Sequence, residues 1–214
     1  TLTRELGKVI LTEGIEYLEF EQSSELETVE YDVFNSNIIL KSVDFGNCKK
    51  LKMIDEYAFF RCLGLENVSF KGCISFERLC DSAFANCSNL KNVNFDGCDK
   101  LSMLDREAFS DCEKLKNASF KGCNNLKSIS YNCFYGCDEL TEIDLSDCGN
   151  LRWIAEQACS LCSSLKKVTL AKNGDAELEI DNSAFSKCTS LESVDFSSSN
   201  ISKIGVGAFY GCNK

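Results

Sequence analysis

The 214-residue sequence contains no histidine and no proline. Without histidine it lacks the commonest general base and the commonest metal ligand of proteins. It also lacks a nucleophile motif and a glycine-rich phosphate loop. We therefore predict a protein that is not an enzyme, with no catalytic residues, no metal ligands and no cofactor. Proline is frequent in turns, and the sequence alone offers no physical reason for its absence.

Long apolar runs and clusters of positive charge are missing as well. No stretch approaches the roughly 18 apolar residues that a membrane-spanning helix needs. The net charge is −10, whereas binding to phosphates requires clustered lysine and arginine. We expect no membrane span in this chain and no nucleic-acid partner. Solvation accounts for the acidic side chains, with a basic protein partner as the alternative.

What the sequence does contain is a repeat of 25 residues. The segment 90–114 is its clearest copy, and sliding that segment along the chain aligns an apolar residue at the opening position of every copy. A fixed period of this length is typical of a solenoid. The spacing is 25 except at one copy that is a residue longer, and the opening residues are Ile15, Leu40, Leu65, Leu90, Leu115, Leu140, Leu165 and Leu191.

Each copy changes character halfway. When the opening residue is position 1, the apolar Val93 and Phe95 stand at positions 4 and 6 and alternate with polar residues, which predicts a short half-buried strand. Gly97 and Cys98 then mark a turn. The apolar residues that follow are irregularly spaced and predict a return segment that ends in a helical turn, although periodicity does not exclude a longer helix. One copy cannot bury these side chains alone, so we predict that the copies stack and that their strands form a parallel sheet.

The repeat also sets the domain organisation. We predict a divergent N-terminal segment or cap over residues 1–14 and a single array of about eight 25-residue repeats over residues 15–214. The extra residue falls around Lys172-Asn173-Gly174-Asp175 and predicts a loop on one face. Terminal repeats normally carry a polar outer face, and none is visible, so we expect the sequence to be part of a longer array.

The fifteen cysteines occupy mainly two columns of the repeat. Asn and Ser replace Cys within both columns, which favours unpaired thiols at buried turn positions over a disulfide framework. We expect Cys133 and Cys159 to pack as small apolar residues and Cys80 to be exposed. Unpaired thiols fit a reducing compartment better than an oxidising one. The columns are Cys48, Cys73, Cys98, Cys123 and Cys148, continued by Asn173 and Ser199, and Cys62, Cys87, Cys112, Cys137, Cys162, Cys188 and Cys212, preceded by Asn37.

Two surfaces are candidates for binding. Positions 3 and 5 of each strand should point outward, because positions 4 and 6 point into the core. These outward residues vary from copy to copy, and the candidate binding residues among them are Asn67, Ser69, Asn92, Asn94, Asn117, Ser119, Glu142 and Asp144. The alternative is the row just before the apolar anchor of the return segment, with Met53, Met103 and Trp153 as its large side chains. Packing of Trp153 beneath a neighbouring loop is the competing explanation for that row.

The pattern Leu-x-x-Val-x-Phe-x-x-Cys resembles the strand of leucine-rich repeats. The later pattern of Ala-Phe followed three residues on by Cys, as in Ala108-Phe109 and Cys112, is similar to the BspA-like leucine-rich repeats of surface proteins. This resemblance implies a leucine-rich-repeat solenoid: a right-handed superhelix with one parallel sheet, whose return segments combine short strands with single helical turns. It also implies a protein-binding module at the cell surface or outside the cell, often adhesive, with a host or matrix protein as its partner.

A second resemblance leaves the compartment open. The same strand with its flanking cysteines is similar to the cysteine-containing leucine-rich repeats of F-box proteins, which are intracellular and more helical. The alternative function is therefore an intracellular scaffold or assembly adaptor in the cytoplasm, with reduced cysteine columns.

Overall fold

The computed structural model describes residues 1, 13–21, 24–172, 177–196 and 199–214. Every repeat contributes one front strand and one return strand, and the chain alternates between the two. The front strands are β1 Tyr17–Glu19, β3 Ser42–Asp44, β5 Asn67–Ser69, β7 Asn92–Asn94, β9 Asn117–Ser119, β11 Glu142–Leu145, β13 Lys167–Leu170 and β15 Ser193–Asp195. The return strands are β2 Thr28–Val29, β4 Met53–Ile54, β6 Arg78–Leu79, β8 Met103–Leu104, β10 Ser128–Ile129, β12 Trp153–Ile154, β14 Leu178–Ile180 and β16 Ile201–Ile204.

The predicted solenoid of stacked parallel strands is confirmed. Front strands pair with front strands in the register of the repeat, as in Asn67 with Asn92 and Val68 with Val93. The return strands form their own eight-stranded sheet from β2 to β16. The front side is divided into a five-stranded sheet, β1 to β9, and a three-stranded sheet, β11 to β15. Parallel pairing therefore runs along both sides of the array, whereas the sequence predicted one parallel sheet.

Stacked phenylalanines fill the space between the two sides. Phe70 at position 6 stacks on Phe95 of the next repeat, with their ring centroids 5.0 Å apart. Phe84 of the return segment stacks on Phe59 at 4.7 Å and meets the edge of Phe70 at 6.2 Å. All four side chains are fully buried. Offset stacking along the array and edge-to-face contact across it are the two geometries that aromatic rings prefer, so the repeat period itself builds the core.

The return segment contains a run of β-turns where the sequence predicts a helical turn, and no helix occurs among the described residues. In the second repeat the Phe60 N–H donates to the Tyr57 carbonyl at 3.0 Å, and the Cys62 N–H donates to the Phe59 carbonyl at 3.2 Å. Tyr57 and Arg61 have φ angles of 57° and 56°. A right-handed helix requires negative φ, so these two residues prevent it from forming.

The turns explain the absence of proline from the return segment. The backbone N–H groups of the segment donate alternately within a turn and to the next repeat, for example from Phe59 to the Ala83 carbonyl at 2.8 Å and from Arg61 to the Ala85 carbonyl at 2.9 Å. Proline has no N–H, and its φ is fixed near −65°. A proline in this segment would remove a hydrogen bond from the turn or from the stacking interaction.

All fifteen cysteines lie in the described residues and are free, and all except Cys212 are buried. In both columns thiols donate to carbonyls of the preceding repeat, as Cys98 does to Phe70 at 3.1 Å. Ser199 makes the equivalent bond to the Ala171 carbonyl at 2.8 Å, which confirms that Ser and Cys are interchangeable there. Burial raises the pKa of the Cys73 thiol to about 12, so the buried thiol stays protonated.

Two details of the cysteine predictions have different outcomes. Cys133 and Cys159 are fully buried, as expected of small apolar side chains. The exposure predicted for Cys80 is wrong, because its side chain is only 5% exposed. Its column begins the turn segment, where the Cys80 N–H donates to the Ile54 carbonyl of the preceding repeat at 3.0 Å, and Asp105 and Ala155 of the same column are buried as well. Residues 2–12 of the expected N-terminal cap and Asn173 to Asp175 of the expected loop lie outside the described residues.

Candidate functional site

The front face is defined by the outward side chains at positions 3 and 5 of the front strands. The buried Val68, Val93 and Ile143 between them confirm the predicted alternation. All eight candidate residues lie on this face, but the structure divides them between two sheets. Asn67, Ser69, Asn92, Asn94, Asn117 and Ser119 belong to the five-stranded sheet, and Glu142 and Asp144 belong to the three-stranded sheet.

Three of the asparagines form a ladder along the array. Asn92 donates from Nδ2 to Oδ1 of Asn67 at 2.7 Å, and Asn117 donates to Oδ1 of Asn92 at 2.7 Å. The amides are partners of one another because the register places position 3 of each strand beside position 3 of the next. The ladder adds side-chain hydrogen bonds to the stacking, and it presents a flat row of amides to the solvent.

The side chains at position 5 have a structural role that sequence reasoning missed. Asn94 Oδ1 accepts a hydrogen bond from the Asp96 N–H at 2.8 Å, and Asp144 Oδ1 accepts one from the Ser146 N–H at 3.0 Å. Asn and Asp commonly bond to the backbone two residues further on and so initiate turns. These side chains hold the turn that ends the front strand. Position 5 is therefore under a structural constraint that its variation from copy to copy does not reveal.

The front ladder is open between β9 and β11. At every other described junction the N–H at position 2 donates to the position-2 carbonyl of the preceding repeat, for example from Lys116 to Lys91 at 2.9 Å and from Lys166 to Thr141 at 2.9 Å. Within the described residues no such bond joins Thr141 to Lys116, and Phe120 likewise lacks the bond that Phe95 makes to Ser119. The return sheet continues across the same junction through β10 and β12.

A cleft of about 550 Å³ lies at this open junction. Its floor includes Ala118, which replaces the larger apolar residue found at position 4 of the other repeats. Its two walls are the β9 and β11 strands with their flanking residues. The lining residues are Lys116, Asn117, Ala118, Ser119, Phe120, Lys121, Thr141, Glu142, Asp144, Ser146 and Asp147, which include four of the eight candidates.

Two contacts close the ends of the cleft. Lys116 Nζ lies 3.2 Å from Oε2 of Glu139, the residue that ends the repeat containing β9. At the other end, Asp147 accepts a hydrogen bond from the Gly122 N–H at 2.8 Å. Glu142 is paired with Lys167 on the far side, at 3.0 Å. Among the described residues, Asp144 makes no ion pair, so the carboxylate on the β11 wall remains available to a ligand.

The alternative row lies on the outward side of the return sheet. Met53 and Trp153 are half-buried, Met103 is 37% exposed, and Ser128 between Met103 and Trp153 is buried. The Trp153 ring meets the edge of Tyr131 with the centroids 5.2 Å apart. The row is a surface of mixed character rather than a continuous apolar patch.

The cleft is the feature that sequence reasoning did not find. Its one sequence signal is Ala118 in a column otherwise filled by Leu, Val and Ile. The described residues contain no group of acidic or cysteine side chains placed to hold a metal ion. They also include no helix with the length and apolar character needed to cross a membrane.

Paired strands, stacked phenylalanines and a turn-closing column of Cys, Asn and Ser define a leucine-rich-repeat solenoid. The family model described as BspA type leucine rich repeat region matches residues 11–122 and 98–214, with six copies. The chain belongs to this BspA-type family, in agreement with its repeat pattern.

Solved structures share the fold at low sequence identity. A leucine-rich repeat protein of T. pallidum (TpLRR) is 23% identical, with 84% of this chain and 78% of that protein covered and a TM-score of 0.67. A leucine rich cell surface protein of Faecalibacterium prausnitzii is 18% identical, with 92% of this chain and 45% of that protein covered and a TM-score of 0.46. At these identities the first match supports the fold alone. No curated protein sequence matches the chain.

Proposed function

We propose that this protein is a non-catalytic protein-binding module that contacts its partner through the front face. BspA-type repeats suggest a protein-interaction module. The observation that supports this particular face is the open junction between β9 and β11, where the only interruption among the described front strands coincides with four candidate residues. Solenoid proteins usually bind their partners on the concave surface of the array.

The compartment is a separate part of the proposal. Similarity to surface proteins with BspA-type repeats supports adhesion or recognition at the cell surface, with a host or matrix protein as the partner. The second candidate is an intracellular scaffold, and one observation favours it: fifteen free cysteines are more typical of a reducing compartment. The residues that would bind the partner are the same in both cases.

Site-specific photo-crosslinking tests the face even while the partner is unidentified. A photoreactive phenylalanine analogue would replace Asn94 on the front face, and in a second variant Met103 on the return side. Both variants should first show a single cooperative unfolding transition in urea, with a lower midpoint for the Asn94 variant because it loses the hydrogen bond from the Asp96 N–H. We expect crosslinked complexes from the position of Asn94 and none from that of Met103. Crosslinks from Met103 alone would transfer the site to the alternative row of Met53, Met103 and Trp153.

A further inference from the structure

We propose that the cleft between β9 and β11 binds an arginine side chain of the protein partner. This inference rests on the proposed function and makes it more specific, because it names the chemistry that the front face recognises. Three observations carry it: the unpaired backbone groups of the junction, the loss of side-chain volume at Ala118 and the distribution of charge along the walls.

Unpaired backbone groups are the first observation. In a closed ladder the Lys116 carbonyl would accept from the Thr141 N–H, and the Asp144 carbonyl would accept from the Phe120 N–H. Neither hydrogen bond is made in the described part of the chain. A backbone carbonyl that lacks its ladder donor is left to water or to a donor from a ligand. The open junction therefore offers backbone acceptors on both walls of the cleft.

Ala118 gives the slot its depth. The equivalent position holds Val43, Val68 and Val93 in the three preceding repeats, and all three are buried. Ala118 remains 8% exposed in spite of its small size. A valine there would place two further methyl carbons at the floor of the cleft, so the local sequence favours a recess where its neighbours build a closed surface.

The charges and shape favour a guanidinium group. Acidic Glu142, Asp144 and Asp147 outnumber Lys116 and Lys121 along the lining. Lys116 is paired with Glu139 and Glu142 with Lys167, which leaves Asp144 and Asp147 against Lys121. A guanidinium is planar, always charged and carries five N–H donors, so it can bond to a carboxylate and to backbone carbonyls at the same time. Asp144 supplies the carboxylate, and the carbonyls of Lys116 and Asp144 supply the further acceptors.

The chain contains a matched control for Asp144. Asp44 occupies the same position 5 in the second repeat, and its Oδ1 accepts a hydrogen bond from the Gly46 N–H at 2.8 Å, as Asp144 Oδ1 does from Ser146 at 3.0 Å. The matching junction of Asp44, with the preceding strand β1, is closed, because the Lys41 N–H donates to the Glu16 carbonyl at 2.7 Å and Glu19 pairs with Asp44. The two aspartates differ in the state of the adjacent ladder and share this turn-closing hydrogen bond.

The test uses short peptides and amide NMR spectra of the whole chain. The probe is acetyl-Gly-Ser-Arg-Ser-Gly-amide, with the uncharged citrulline peptide as its isosteric control. We expect saturable shifts of the Phe120 and Thr141 amide resonances with a Kd of about 1 mM or tighter. Citrulline and Asp144→Asn should each weaken binding by about tenfold or more, whereas Asp44→Asn should leave it unchanged. Ala118→Val should abolish the shifts in a protein that still folds.

Three results would overturn the proposal: no saturable shift up to about 10 mM peptide, equal binding of the citrulline peptide, or equal losses from Asp144→Asn and Asp44→Asn. The last would indicate general attraction of cations to an acidic protein. Crosslinking at the position of Asn94 with no peptide binding would remove the arginine site and retain the front face. Peptide binding with crosslinks from Met103 alone would retain the cleft and remove the proposed function.

Discussion

Asn92 donates its side-chain N–H to Oδ1 of Asn67 at 2.7 Å across two neighbouring front strands. Because the same residue accepts from Asn117, it is both donor and acceptor, whereas Asn67 is only an acceptor within the ladder. The same substitution should therefore have different effects at the two positions.

We expect Asn92→Asp to lower the free energy of unfolding by about 1 kcal/mol more than Asn67→Asp, because it removes one hydrogen bond. It would also set a carboxylate oxygen against the Asn67 oxygen. Both variants add one negative charge, so their difference reports the lost ladder bond together with this oxygen–oxygen repulsion. Urea unfolding provides the measurement, and equal losses would mean that the amide ladder does not stabilise the stack.

Phe109 should be among the most sensitive core positions. It is fully buried and stacks between Phe84 and Phe134, with centroid distances of 5.6 and 5.4 Å. We expect Phe109→Ala to cost about 3–5 kcal/mol, as truncation of buried phenylalanine usually does. The exposed Lys100 provides the control, and Lys100→Ala should change stability by no more than about 0.5 kcal/mol. A loss below about 1 kcal/mol for Phe109→Ala would contradict the stacked core.

Thiol labelling should show two classes of cysteine. Under denaturing, non-reducing conditions, alkylation followed by mass spectrometry should modify all fifteen thiols, because none is paired. In the folded protein Cys212 should react first, since it is the one cysteine that is only partly buried. Burial also raises the pKa of Cys123 to about 12, which disfavours the reactive thiolate. Substoichiometric labelling after denaturation would point to disulfides.

Asp105 and Asp181 occupy equivalent positions and should give opposite pH dependences. Burial raises the pKa of Asp105 above its usual 3.8, although Arg78 acts in the opposite direction. The folded state therefore favours the protonated carboxyl, and the contribution of Asp105 to stability falls as pH rises through 3.8 and the raised pKa. The pKa of Asp181 is lowered by the backbone bond from Asn182 and by Lys203, so its contribution is present above 3.8 and is lost as pH falls.

We therefore expect the stability of Asp105→Asn relative to wild type to increase as pH rises from about 2.5 to about 7. The relative stability of Asp181→Asn should decrease over the same rise in pH. Urea unfolding at several pH values within that range provides both curves. Parallel curves for the two variants would show that these carboxyl groups titrate alike in the folded protein.

The period of the sequence was sufficient to predict the front strands and their inward side chains. Val93 and Phe95 alternate with polar residues, and stacking one copy on the next leaves them no other place than the core. The turn segment was less predictable, because positive φ at Glu107 and Asp111 is unusual for residues that are not glycine. Hydrogen bonds to the next repeat select that conformation, and a single copy does not reveal them.

The candidate site was predictable only as a face. Positions 3 and 5 do point outward as predicted, but the ladder of Asn67 and Asn92 depends on register between copies rather than on residue type. The cleft lies where, among the described strands, the backbone hydrogen bonds between β9 and β11 are missing. Ala118 is its single trace in the sequence, and an alanine among valines does not by itself predict that a neighbouring ladder opens.

The open junction also has a mechanical consequence. Backbone hydrogen bonds between repeats point along the length of the rod, and at one place in the described chain the front strands do not contribute them. There the strand pairing is made on the return side, by Ser128 with Trp153 and Ile129 with Ile154, and the front side adds the bond from the Gly122 N–H to Asp147. We expect the array to bend most easily at this junction, because its strands are paired on only one side. We expect tension or curvature applied to the array to be taken up first between Lys116 and Thr141, with the return sheet serving as the hinge.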